Sequence, residues 1–263
     1  MPGITDKIDL RNKLIIAILI IAAAVIIRLY NVNGAMFDFN PLRQALNASV
    51  ARNYAQNPGT MFLLPQSINV GPAPGYLMFE FPILPYVVSF LVKAAGVQNW
   101  VFRVPSVIFF AFSAIYFYKV CMEIIDPRIS LLALIFYCIT PMTILMGRVF
   151  QSESFMILAL MFALYYFLRW IRSEKRRYLL LYTLGLTFFV LLKIPNLYIF
   201  LFFTVLFLVY KKPRLALYLI VSSIFVIAVN IWWWFIYSSE VRSLFPTQYT
   251  MVGGNVPVFS LHH

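Results

Sequence analysis

Residues 82–95 read PILPYVVSFLVKAA, and whether that stretch crosses a membrane decides the fold. It is apolar enough to be taken for a span. It is also short, carrying Pro82 and Pro85 in its first turn and Lys93 near its end, whereas a crossing takes about 20 apolar residues. Counting it in or out reverses the side of every helix that follows.

The surrounding chain supplies the context. Of its 263 residues, 62% are hydrophobic and 11% charged, far from the roughly 25% charged that soluble domains carry. Apolar runs of near-span length recur from end to end, so the chain reads as an all-α polytopic membrane protein. The first run, Leu14 to Ile27, leads into Arg28 with no small-residue cleavage site behind it, which predicts a retained anchor and not a removed signal peptide. A net charge of +12 would suit nucleic acid only if the basic residues formed a patch on a folded surface. They lie between apolar runs instead, so no nucleic-acid partner is expected. Cys121 and Cys138 fall in or at the ends of such runs, and nothing about them suggests a disulfide or a metal site.

Lysine and arginine accumulate on cytoplasmic loops, and that asymmetry arbitrates. If 82–95 lies flat in the outer interface, the spans read 14–29, 104–121, 130–146, 155–171, 178–192, 197–210 and 215–237. The inside then holds Lys7, Arg11, Lys13, Lys119, Arg128, Arg169, Arg172, Lys175, Arg176, Arg177, Lys211, Lys212 and Arg214. These are 13 of the 21 basic residues and include both dense clusters, RWIRSEKRR and KKPR. Counting 82–95 as a span would export both clusters. The reading is therefore about seven transmembrane helices with the amino terminus cytoplasmic and one long outer loop, 30–103, carrying interfacial helices near 41–56 and 82–95. Residues 1–240 make up the membrane module, with WWW at 232–234 in an outer aromatic belt. Residues 241–263 begin an outer segment that is expected to be truncated.

Only Asp38, Glu80, Glu153 and Glu240 are acidic on the outer side of this topology, so chemistry there has few carboxylates to use. Asn40 is a good N-cap, Pro41 suits the first helical position, and Leu42, Leu46, Val50 and Tyr54 recur at helical spacing as one apolar face. A short surface helix should start at 41, with Arg43 and Asn47 on its other face. Asp38 lies just ahead of it, where the helix dipole favours a carboxylate. Asp38 reads either as a reacting group or as an ordinary capping-region acid paired with Arg43. The hairpin GRVFQSES, 147–154, offers Arg148, Gln151 and Glu153 on the same side; Arg148 and Glu153 are either site residues or a solvated pair. Lys193 in LLKIPN and Arg103 in NWVFRVPS are lone cations at helix ends, open between snorkelling and a site role. Asn47-Ala48-Ser49 matches a glycosylation sequon, a pattern common enough by chance to carry little weight.

Four stretches, taken in order, are familiar: a first span ending RLYN, then FDFNPLRQALNASVARNY, EFPILPYVVSFLVKAAGVQNWVFRVPSVIF and TPMTILMGRVFQSESFM. Together they resemble the amino-terminal membrane module of GT-C glycosyltransferases, in the protein mannosyltransferase and aminoarabinose transferase-like branch that uses polyprenyl-phosphate sugars. The similarity covers roughly residues 15–200 and rests on the ordered set. It implies that Asp38 serves the reaction centre, that Glu153 is the acid or base after the second outer hairpin with Arg148 beside it, and that Glu80 lies near the lipid-phosphate site. Residues and resemblance together predict Asp38 and Glu153 as catalytic and Arg43, Glu80, Arg103, Arg148 and Lys193 as substrate-binding. Two departures stand out: Phe81 follows Glu80 where some relatives carry lysine nearby, and Phe39 follows Asp38 where many show paired acids. No cofactor is required on this reading, and use of a divalent metal, Mg or Mn, is left open.

The function expected is transfer of a sugar from a polyprenyl-phosphate donor to a lipid, glycan or protein acceptor, by inverting displacement at the outer face of a plasma (inner) membrane. The partners are that donor, the bilayer, the acceptor, and a missing carboxy-terminal module or partner subunit. The competing classes are a transporter or flippase of a lipid-linked sugar and a noncatalytic scaffold derived from the module. Mid-span positions are almost uniformly apolar while polar residues gather at the outer boundary, which favours surface chemistry over passage.

Overall fold

A computed structural model of the chain describes residues 4–57, 76–77, 80–239 and 249–250, with side chains described for 11–57 and 80–239. Glu240 and most of 241–263 lie outside the described residues. The helices are α1 (Ile4–Leu29), α2 (Pro41–Gln56), α3 (Ile83–Ala95), α4 (Asn99–Ile124), α5 (Pro127–Ile139), α6 (Pro141–Met146), α7 (Glu153–Ser173), α8 (Arg176–Leu192), α9 (Ile199–Val209) and α10 (Ala216–Ile231).

Four stretches are long and apolar enough to cross a membrane: Arg11–Leu29, Asn99–Ile124, Glu153–Ser173 and Pro213–Tyr237. Ile83–Ala95, Pro127–Ile139 and Ile194–Val209 are shorter apolar helices. Large side chains such as Leu19, Ile26, Leu201 and Leu217 stand bare on the outside of the bundle, as lipid-facing positions do. The chain is an all-α polytopic membrane protein. Its one strand pairing among the described residues is a two-residue parallel contact, Tyr76–Leu77 with Tyr249–Thr250, which ties the segment after α10 to the α2–α3 connection.

The deciding stretch does form a helix, α3, but at 1.5 Å per residue it is only about 20 Å long, short of the roughly 30 Å hydrocarbon core. Leu84, Val88 and Val92 pack it against Ala51 of α2 and Val101 and Phe102 of α4. Val87, Phe90 and Leu91 remain bare on its other side. The two short helices α2 and α3 together cap the end of the bundle where α4 and α7 begin.

Residues 130–146 were expected as one span, yet the helix breaks at Thr140. Pro141 lacks an N–H and disfavours helical geometry in the residue before it, so α5 ends there and α6 restarts. Pro141 has no N–H to offer Tyr137 O, and Thr143 Oγ1 donates to that carbonyl instead at 2.5 Å, while Phe136 O keeps the backbone N–H of Thr140 at 3.0 Å and also accepts from Thr140 Oγ1 at 2.6 Å.

Small residues set the closest helix approach. A Cβ on Gly185 of α8 would come within 3.1 Å of Ala159 O and Ala163 N of α7, so the glycine lets α7 and α8 pack tightly. Phe167, Tyr182 and Phe203 fill the core beside them. At the end away from the cap, Glu123 pairs with Arg169 and Arg172, and Glu174 with Lys212 and Arg214. The expected aromatic belt is reduced to Trp232, which is 43% exposed. Trp233 and Trp234 turn inward along the π-helical continuation Trp232–Tyr237 and pack with Val50, Tyr54 and Leu191.

Candidate active site

The cap is seated by polar residues on a helix face expected to be apolar. The buried side of α2 carries Gln44, Asn47, Val50, Ala51 and Tyr54, while Leu42 points outward and is 67% exposed. Gln44 and Asn47 are buried because the loop before α7 supplies partners. Phe150 N donates to Gln44 Oε1 at 3.1 Å, and Asn47 Nδ2 donates to Phe150 O at 3.2 Å. Gln151 Nε2 donates to Phe39 O at 3.1 Å. Backbone groups that would otherwise be unsatisfied are thus paired, and the 147–153 loop is fastened to residues 38–47.

Asp38 stands at this junction. Arg103, at the start of α4 and 2% exposed, grips it with Nη1 at 2.9 Å from Oδ2 and Nη2 at 3.0 Å from Oδ1, and Nη2 also reaches Ala35 O. Gln44 Nε2 donates to Oδ1 at 3.0 Å, and Arg148 Nε lies 3.6 Å from Oδ2. Among the described residues, the two terminal nitrogens of Arg148 have no partner.

A second group lies beside the first. Arg43, in the first turn of α2, is oriented at its base by Asn40, whose Oδ1 accepts from Arg43 N at 3.4 Å. Its guanidinium bridges two acids, pairing with Glu80 through Nη2 and with Glu153 Oε1 through Nη1 at 2.8 Å. Lys193 Nζ reaches the same Glu153 oxygen at 2.6 Å, and Ser152 Oγ donates to Glu80 Oε2. All seven predicted residues therefore meet at one end of the bundle, in two adjoining groups. The pairings differ from those the sequence offered: Asp38 goes to Arg103 and Arg148 instead of Arg43, and Glu153 to Arg43 and Lys193 instead of Arg148. Gln44 and Ser152 were missed. For Gln44 a signal existed, since 44, 47, 51 and 54 form a helical stripe with 3-4-3 spacing.

Each carboxylate here faces cations, and no group of three or more His, Cys, Asp or Glu side chains able to hold a metal occurs among the described residues. The donor set suits anions better than a divalent ion. An apolar cleft of about 750 Å³, open on one side, begins at Phe81 and runs between α8 and α10 past Leu191, Thr187, Leu184 and Phe225, the last two exposed on the outside of the bundle.

No curated protein matches the chain. The family model described as dolichyl-phosphate-mannose-protein mannosyltransferase matches residues 79–234, more than half of the chain, which takes in Glu80, Arg103, Arg148, Glu153 and Lys193 and leaves Asp38 and Arg43 ahead of it. The chain therefore belongs to the dolichyl-phosphate-mannose-protein mannosyltransferase family, membrane glycosyltransferases of the GT-C type.

Proposed function

We propose that the protein moves a sugar, mannose by the family's name, from a polyprenyl-phosphate donor to an acceptor hydroxyl at the outer membrane face. The observation that carries this reading is Asp38 beside Arg148: a fixed carboxylate next to a guanidinium whose terminal nitrogens have no partner among the described residues. The acceptor oxygen attacks the anomeric carbon and gives its proton to Asp38. The bond between that carbon and the phosphate oxygen breaks, and the electron pair leaves with the phosphate. One displacement inverts the configuration.

Arg148 and Lys193 meet the phosphate as its charge grows, since preorganised cations act most strongly where water is scarce. Arg103 orients Asp38. Glu80 and Glu153 hold Arg43 and, through Glu153, Lys193, keeping the cations in place before the donor arrives. The cleft starting at Phe81 offers the prenyl tail an apolar path beside these cations. The donor cannot leave the bilayer, which is why the chemistry belongs to a membrane protein.

The test is purified full-length chain in liposomes given radiolabelled polyprenyl-phosphate mannose and a panel of lipid, glycan and peptide acceptors. Label on an acceptor, abolished by Asp38→Asn, is the expected result. Label that crosses the bilayer without transfer would identify a transporter, and turnover retained by Asp38→Asn would remove the base assignment.

A further inference from the structure

Arg28, one residue from the end of α1, is fully buried, and no acid pairs with it among the described residues. A buried guanidinium is expensive unless its donors are used; the terminal nitrogens of Arg28 reach several elements, while Nε is buried without a hydrogen-bond partner among the described residues. Nη1 donates to Ala24 O at 2.9 Å, one turn back. Nη2 donates to Cys138 O of α5 at 3.1 Å and to Thr143 Oγ1 of α6 at 3.4 Å. The guanidinium carbon lies 3.3 Å from the centre of the Phe110 ring of α4. One side chain thus spans the break at Thr140–Pro141 that splits the third apolar run.

Gly147 closes the arrangement from above. A Cβ there would sit 2.6 Å from Arg28 Nε and 2.8 Å from Thr143 O, and the latter is backbone with little room to yield. The next residue is Arg148, 3.6 Å from Asp38.

We infer that Arg28 is a positioning residue: reaching from α1 across the α5–α6 break, it sets the height of the Gly147 turn and so brings Arg148 against Asp38. The consequence for catalysis rests on the proposed roles of Asp38 and Arg148; the geometry does not.

In the full chain with Cys121 and Cys138 replaced by alanine, Asp38→Cys and Arg148→Cys are bridged with a short bis-thiosulfonate cross-linker. A control pair is Thr183→Cys with Ser222→Cys, whose hydroxyls are 2.7 Å apart between α8 and α10. Adding Arg28→Met or Gly147→Ala should lower the 38–148 cross-link several-fold and leave the control intact, while Arg28→Lys, which keeps a donor within reach of Cys138 O, restores part of it. In chains that retain Asp38 and Arg148, Arg28→Met should lower kcat by about a hundredfold, the scale of a misplaced reacting geometry, with donor KM little changed. An undiminished 38–148 cross-link overturns the inference. So does loss of both cross-links, which would make Arg28 a determinant of the whole fold. Cross-links that behave as expected, when the protein with Asp38, Arg148 and Arg28 all intact transfers no sugar, would uphold the positioning and sink the proposed function.

Discussion

Arg103 holds both oxygens of Asp38, at 2.9 and 3.0 Å, from a position that is itself 2% exposed. A forked guanidinium fixes the orientation of a carboxylate as well as its charge, so the group proposed as the base is aimed before substrate arrives.

Asp38→Asn keeps the acceptor at Oδ1 for Arg103 Nη2 and Gln44 Nε2 but turns a donor amide toward Arg103 Nη1; the fold should stay assembled, with some loss of stability, while transfer falls by about 10²–10⁴-fold, the usual range for a positioned acid or base. Asp38→Ala leaves Arg103 buried without its partner and should also cost about 3 kcal/mol of stability, the scale for stranding one half of a buried ion pair. Denaturation midpoints in detergent, read beside a transfer assay, separate the two effects.

Arg43→Lys retains the charge but not the planar fork that reaches Glu80 and Glu153 together. The expected result is a loss of activity of at least about tenfold, 1.4 kcal/mol in barrier terms. Full activity in the lysine variant would show that the double contact is dispensable.

Gln44→Leu is close in size yet removes the acceptor for Phe150 N and a donor to Asp38 and Phe39 O. With buried backbone left unpaired, the variant should lose about 1–3 kcal/mol. Leu42→Gln, on the exposed side of the same helix, should lose little. Equal losses would contradict the assignment of the buried face.

The proposed orientation predicts accessibility. In cells expressing a cysteine-free background, a membrane-impermeant maleimide should label Phe37→Cys from outside and Lys175→Cys only after permeabilisation, both parent side chains being exposed. The opposite pattern would invert the topology and move the site to the cytoplasmic face.

Glu174, in the turn between α7 and α8, accepts hydrogen bonds from Lys212 at 2.8 Å and from Arg214, and these hold its carboxyl below the usual carboxylate range. A depressed folded value adds stability above the unfolded pKa, and that contribution disappears as pH falls through the folded one. Below about pH 4 the 211–214 turn should loosen, read as faster cleavage at Lys211–Lys212 in an acid-quenched proteolysis series. Glu174→Gln should show the faster cleavage already at neutral pH, with no further acid effect.

Much of the architecture was legible in the residues. Pro41 behind Asn40 marks the start of α2, and the shortness of 82–95 and its two prolines mark α3 as a helix of only 13 residues. These signals are local, depending on hydropathy, periodicity and capping over one or two turns. The break at Thr140 was equally local, since Pro141 announces it, but a long apolar run drew the span across it. The buried side of α2 was misjudged for a different reason: Gln44 and Asn47 become interior residues only because Phe150 and Phe39 bring backbone partners to them.

By itself, the sequence determined the membrane class, the run of helices and the small pool of charged residues from which a site could be made. Only the tertiary structure decided which acid meets which cation. Arg103 lies 65 residues from Asp38, and Glu153 lies 110 from Arg43. Charge has no periodicity that encodes such distant partners; packing of α2, α3 and the 147–153 loop over the bundle end selects them, and the cost of burying an unpaired charge holds them together.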